Sequence, residues 1–247
     1  PETATVETPA PCVVVCSGMC DNLQKQADLA VELSRRGVVV VAMDQVSHGN
    51  SAEMVTEKYI TNDKGQYFDV KTQAFVDNKA DATNFQSHGM IEVVDYVYNC
   101  MEYVDKDRIG CSGHSQGGVN ATRTMRYFHY QGTLGDGINK ISAMFCQSCN
   151  EATLPGEMEG VDVGYVIGQV DEVFLFTYYA QLGKGLDTVP QVLEWHKNEL
   201  MNNDVMYNTD PASMADCGVD YGEYITNANG DLRVFNTNSG DHCVQHW

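Results

Sequence analysis

Unbroken apolar runs separated by helix-spaced stretches dominate the first two thirds of the chain. Residues 12–17 (CVVVCS) form one such run, closed by Gly18. Leu23, Ala27, Ala30, Val31 and Leu33 then recur on one helical face, which predicts a helix over 22–36. Gly37 supplies a stop, and 38–43 (VVVVAM) is a second run with no polar alternation. Strands of that kind are covered on both faces, as in parallel sheets. After residue 89 the pattern gives a helix over 89–104, a strand over 108–112, a helix over 116–130, and strands over 141–147 and 163–168. Repeated strand-helix-strand units with right-handed crossovers predict an α/β fold: a mostly parallel, doubly wound sheet with helices on both faces.

Two intervals interrupt this alternation. Residues 50–85 are polar, with turn chemistry at Asn62-Asp63-Lys64-Gly65, and read as an excursion from the core. Residues 173–230 hold a helical segment near 189–201 and an Asn- and Asp-rich loop. Residues 221–226 and 232–235 then flank Asn227-Ala228-Asn229-Gly230 as a candidate hairpin. The domain reading is a polar lead over 1–11 and one domain over 12–247 with lid-like insertions at 50–85 and 173–230. There is no internal repeat.

Composition narrows the partners. A chain of 247 residues buries roughly 70 to 75% of its unfolded surface, enough for a real core. Its 34 acidic residues against 15 basic ones give a net charge of −19, which repels nucleic-acid backbones and anionic lipid heads. The longest apolar runs, 38–43 and 173–175, fall far short of the roughly 20 residues that cross a bilayer. Nine cysteines leave at least one unpaired within a monomer. Cys12, Cys16, Cys111 and Cys146 sit in or beside strand-like runs, where cysteine acts as a small buried hydrophobe. Cys146 and Cys149 have the spacing of half a zinc site without a second half, so no metal is expected.

The sharpest chemical signal is Gly113-His114-Ser115-Gln116-Gly117-Gly118, set between a predicted strand and a predicted helix. A serine on so tight a turn is held in a strained backbone conformation, and small flanking residues let strand and helix approach. The helix amino terminus then faces any oxyanion that forms beside the serine.

With this motif in place, the chain resembles the α/β-hydrolase superfamily from about residue 12 to residue 242. Residues 13–22 (VVVCSGMCDN) look like its oxyanion strand and loop, with Ser17 where the family has His. The resemblance implies the backbone N–H groups of Met19 and Gln116 as oxyanion donors. Residues 44–51 (DQVSHGNS) are similar to a structural strand-end loop of the family, with His48 as a loop anchor. The family order of nucleophile, acid and histidine implies Ser115, Asp171 (in Gly168-Gln169-Val170-Asp171) and His242 (in Gly240-Asp241-His242).

That resemblance implies a serine carboxylic-ester hydrolase acting through an acyl-enzyme, with no cofactor and a small-molecule or lipid-like ester as substrate. An acyltransferase, a peptidase of the same fold and a catalytically silent binding domain are the alternatives. Phe174, Phe176 and Tyr178, after the implied acid, are candidates for an apolar substrate pocket. Pro1 in place of Met, and only five residues after His242 where the family has a closing helix, lead to the expectation of a catalytic domain from a longer, extracytoplasmic or membrane-tethered protein. The competing expectation is that 173–230 covers the sheet instead.

Overall fold

The computed structural model describes residues 1–19, 21–45, 48–49, 56–87, 89–135, 137–149, 157, 159–168 and three later strands. The two apolar runs become β1 (Ala10–Cys16) and β2 (Val39–Met43). They pair in parallel with Val13 opposite Val40. Between them the predicted helix is divided: Leu23–Gln26 is a 3-10 turn, and α1 (Ala27–Arg35) is the regular part. The Asn22 side chain accepts from the Gln24 amide at 3.0 Å and caps the tight turn.

Residues 56–87 contain four three-residue strands, β3 (Thr56–Lys58), β4 (Tyr67–Asp69), β5 (Ala74–Val76) and β6 (Phe85–Ser87). They form two small antiparallel sheets, β3 with β6 and β4 with β5. This insertion is not the excursion expected from its polarity. Ile60, Phe68, Val70 and Phe85 are buried and belong to the main hydrophobic core.

Next come α2 (Met90–Cys100), β7 (Val104–His114), α3 (Gln116–Leu134), β8 (Ala143–Gln147) and β9 (Asp162–Gly168). The later strands are β10 (Val205–Asn208), β11 (Glu223–Asn227) and β12 (Leu232–Thr237). The expected hairpin exists as the antiparallel pair β11 and β12. The helix expected near 189–201 lies outside the described residues.

One eight-stranded sheet results, in the order β10-β11-β12-β9-β8-β7-β1-β2. Neighbours from β2 through β12 are parallel, and β11 and β10 extend the far side in antiparallel fashion. The step from β1 to β2 runs one way along the sheet, and those from β2 to β7 and β7 to β8 run the other. Right-handed crossovers therefore put α1 on one face and α2 and α3 on the opposite one. The core lies on that second face, where Met90, Ile91, Val94 and Val97 of α2 and Ala121, Met125 and Phe128 of α3 are almost wholly buried.

The insertion joins this core through aromatic edges. Phe68 packs on Tyr130 with ring centroids 4.6 Å apart, and Phe85 meets Tyr127 at 5.6 Å. Behind them Glu157 is completely buried. Its Oε2 lies 2.7 Å from Arg126 Nε, and its Oε1 accepts from Tyr130 Oη at 2.8 Å. Gln73 Nε2 in turn donates to that Tyr130 oxygen at 2.6 Å. One buried ion pair thus ties α3, the β4–β5 turn and the β8–β9 connection together.

Candidate active site

At the carboxyl end of β7 the chain turns into α3 with a single residue between them, Ser115. Its backbone sits at φ 52°, ψ −119°, a left-handed conformation that costs an L-residue on the order of 1 to 3 kcal/mol. The surroundings hold it there. Ser115 N donates to the Gln147 carbonyl of β8 at 2.9 Å, while its own carbonyl accepts from Gly118 N at 2.9 Å and Val119 N at 3.1 Å. The last residue of β8 and the first turn of α3 are thereby both fixed to the Ser115 backbone.

Each small residue of the motif answers a specific contact. A methyl group on Gly113 would overlap the Gly117 backbone, and one on Gly117 would overlap the carbonyl oxygens of Cys16 and Ser17. On Gly118 it would lie 2.5 Å from Cys149 Cβ. These approaches let α3 start directly against β1, β7 and β8, and they explain why the motif requires glycine at all three places.

The loop after β1 crosses over the serine. A Cβ on Gly18 would stand 2.8 Å from His114 Nδ1 and 3.4 Å from Ser115 Cβ, so only glycine passes there without displacing them. Met19 follows, 65% exposed, on the open side of the loop. Gln116 opens α3, at a helical position for which the helix itself supplies no acceptor. The structure therefore places Gly18, the residue before Met19, against His114 and Ser115, and Gln116 directly after that serine. His48 N donates to the Gln45 carbonyl at 3.0 Å.

Asp171 and His242 lie outside the described residues, as do Phe174, Phe176 and Tyr178. The strands that Asp171 and His242 follow are described. β9 and β12 are parallel neighbours whose last residues, Gly168 and Thr237, are paired. Asp171 comes three residues after the one and His242 five after the other. At about 4.8 Å per strand step, these strand ends lie on the same sheet edge as Ser115, two and three strands away from β7.

Two residues invisible to motif reading also meet here. Gln45, completely buried, donates from Nε2 to the Ser17 carbonyl oxygen. Asn120 of α3, likewise buried, donates from Nδ2 to Gln45 Oε1 at 3.4 Å. The cysteines under the helix are free thiols. Cys111 and Cys146 donate to the α3 carbonyls of Ala121 and Gly118, each at 3.4 Å. Burial pushes Cys12 and Cys16 up to about 12 and Cys111 well above the ordinary thiol range, so these groups are packing residues rather than nucleophiles. Among the described residues no group of three or more His, Cys, Asp or Glu side chains could hold a metal ion, and no helix is long and apolar enough to cross a membrane.

A sequence profile of the family described as serine aminopeptidase, S33, matches residues 7–148, more than half of the chain. Solved structures with a similar course include 2,6-dihydroxy-pseudo-oxynicotine hydrolase, at 15% identity and a TM-score of 0.49, over 96% of this chain and 56% of that one. The chain thus spans little more than half the length of that protein. Others are acyl-protein thioesterase 2 of Zea mays (14% identity, TM-score 0.44, 95% of this chain and 87% of that one) and esterase PE8 (12%, 0.47, 97% and 87%). No curated protein sequence matches the chain.

Proposed function

Because the chain belongs to the serine aminopeptidase S33 family of α/β-fold hydrolases, we propose that it is a serine hydrolase whose nucleophile is Ser115 and whose substrates are carboxylic esters. The observation that carries the proposal is the strained backbone of Ser115 in the one-residue turn between β7 and the start of α3, the backbone of a nucleophile held on a strand-to-helix turn. A serine that only caps a helix has an extended backbone and accepts from an amide two or three residues on. Ser115 has a positive φ, and its side chain accepts no capping hydrogen bond.

In the proposed mechanism His242 takes the proton of Ser115 Oγ as that oxygen attacks the acyl carbonyl. Asp171 holds the imidazole in the required tautomer and stabilises the imidazolium. The amides of Met19 and Gln116 receive the tetrahedral oxyanion, and the imidazolium then protonates the departing alcohol. Water, activated by the same imidazole, attacks the acyl-enzyme and releases the acid. No cofactor takes part. The strong negative charge favours neutral or cationic esters over anionic ones.

The test is labelling with a fluorophosphonate. An adduct on Ser115, lost in Ser115→Ala and in His242→Ala, supports the reading; folded protein that takes no adduct sinks it. Hydrolysis should also rise as pH passes about 6.5, the ordinary value of an imidazole that must be neutral to act as base.

The family description favours one second reading, a peptidase acting at a free amino terminus. Side-by-side turnover of p-nitrophenyl esters and aminoacyl p-nitroanilides separates the two.

A further inference from the structure

The loop that carries Met19 is fastened at both ends by two consecutive residues. Asp44 Oδ1 accepts from the Leu23 amide at 2.7 Å, and Gln45 Nε2 donates to the Ser17 carbonyl oxygen. Asp44 and Gln45 directly follow β2, the strand beside β1, so the loop leaving one strand is fixed by the residues leaving its neighbour. Gln45 is itself located from the other side by Asn120, in the second turn of the helix that begins next to Ser115.

We propose that Gln45, supported by Asn120, is a positioning residue that aims the Met19 amide at the oxyanion, an inference that rests on the hydrolytic reading above. The reasoning follows the peptide plane. A carbonyl and the N–H of the next residue are held in one plane, so fixing Ser17 C=O fixes the direction of Gly18 N–H. Only the two soft dihedrals of Gly18 then separate that plane from the Met19 amide. Position 18 favours glycine because a Cβ there would stand 2.8 Å from His114 Nδ1, and glycine is the residue that restrains those dihedrals least. The restraint has to come from outside the loop, and Gln45 provides it.

A carboxamide suits the task because it donates and accepts without net charge. A lysine or glutamate in the same completely buried position would carry a large desolvation cost. Asn120 completes the frame, since it ties the loop to the helix that carries Gln116, the other implied donor. The two donors are thereby held relative to each other through two side-chain amides.

A misaimed oxyanion donor is felt in the transition state and not in the bound substrate. Gln45→Met keeps the volume and removes both amide functions. Its kcat for p-nitrophenyl acetate should fall about 10- to 100-fold, the scale of an ångström-sized misplacement. KM should stay within about two-fold of wild type. The affinity for phenylboronic acid, which forms a tetrahedral adduct on the serine, and the rate of fluorophosphonate labelling of Ser115 should fall by the same factor as kcat.

Asn120→Ser removes the lateral support of Gln45, along with the Asn120 contact to the Cys16 thiol, and a loss of about 3- to 10-fold with the same split is expected. That variant carries the test if Gln45→Met does not fold. Wild-type kcat and boronate affinity in a folded variant, or a raised KM with unchanged kcat, overturn the proposal while labelled Ser115 leaves the hydrolytic reading standing. Wild-type protein that takes no adduct on Ser115 overturns both.

Discussion

Ser115 is both the reactive residue of the proposed site and a residue held at strained, positive φ, and the two properties can be separated by substitution. Ser115→Ala removes the hydroxyl and keeps the backbone strain, whereas Ser115→Gly removes both. Each should lose several orders of magnitude in turnover. The glycine variant should be the more stable of the two by about 1 kcal/mol, because only it relieves the strain at φ 52°. Urea unfolding of the pair measures this, and an alanine variant at least as stable as the glycine one would show that the backbone is unstrained. Gly117→Ala presses a methyl group onto the Cys16 and Ser17 carbonyls and should cost about 1 to 3 kcal/mol. The same denaturation experiment reads it. At this scale the sequence shows Ser115 because glycines bracket it at fixed offsets. Gln45 and Asn120 carry no such signature: each is one amide among many, and their roles arise only when β2 and α3 bring them to the same loop.

Among the elements, the long buried strands were legible and the short ones were not. β1, β2, β8, β9 and the carboxyl-terminal part of β7 hold their apolar residues in runs that can be read, whereas Asp105, Lys106, Asp107 and Arg108 make the first half of β7 polar, so the predicted strand begins only at 108. The three-residue strands of the insertion are too short for any period. Phe68 and Phe85, far apart in sequence, reach the same core only through pairing of β4 with β5 and of β3 with β6. The turn after β4 is built on Asp69, whose carboxylate accepts from Thr72 Oγ1 at 2.6 Å, Thr83 N at 2.8 Å and Thr72 N at 3.1 Å. The Thr72 hydroxyl foremost, and then the Thr83 amide, hold this carboxyl well below the usual range against the opposing effect of burial.

Its native value therefore lies below the unfolded one of about 3.9. The contribution to stability is complete above that value and is lost as pH falls towards the native one. Asp69→Asn should lower stability at pH 7 and flatten its fall between pH 5 and 3, as followed by urea midpoints. The Arg126–Glu157 pair is a second anchor of the same insertion, with side chains 12% and 0% exposed. Glu157→Ala leaves a guanidinium buried without its carboxylate and should cost about 3 to 5 kcal/mol, visible as a lowered unfolding midpoint.

For the whole molecule, charge is the property that composition alone supplies. At −19 the folded chain repels itself, and screening relieves that repulsion. Raising NaCl from about 10 to 150 mM, which shortens the Debye length from about 30 to 8 Å, should raise the melting temperature. It should also shrink any preference for cationic over anionic p-nitrophenyl esters. A salt-independent preference would assign selectivity to local contacts instead.

The order of the strands has a further consequence for how the chain is made. β1 is first in sequence yet lies inside the sheet, and its second neighbour arrives late: Val13 pairs with Gly110, 97 residues downstream. At ribosomal rates of roughly 5 to 20 residues per second, the β1–β2 pair waits about 4 to 14 s with one edge of β1 unpaired. During that interval the nascent β1–β2 pair is a template for intermolecular strand pairing. Yield of soluble protein should therefore respond to chaperone supply and growth temperature far more than the stability of the finished fold would suggest.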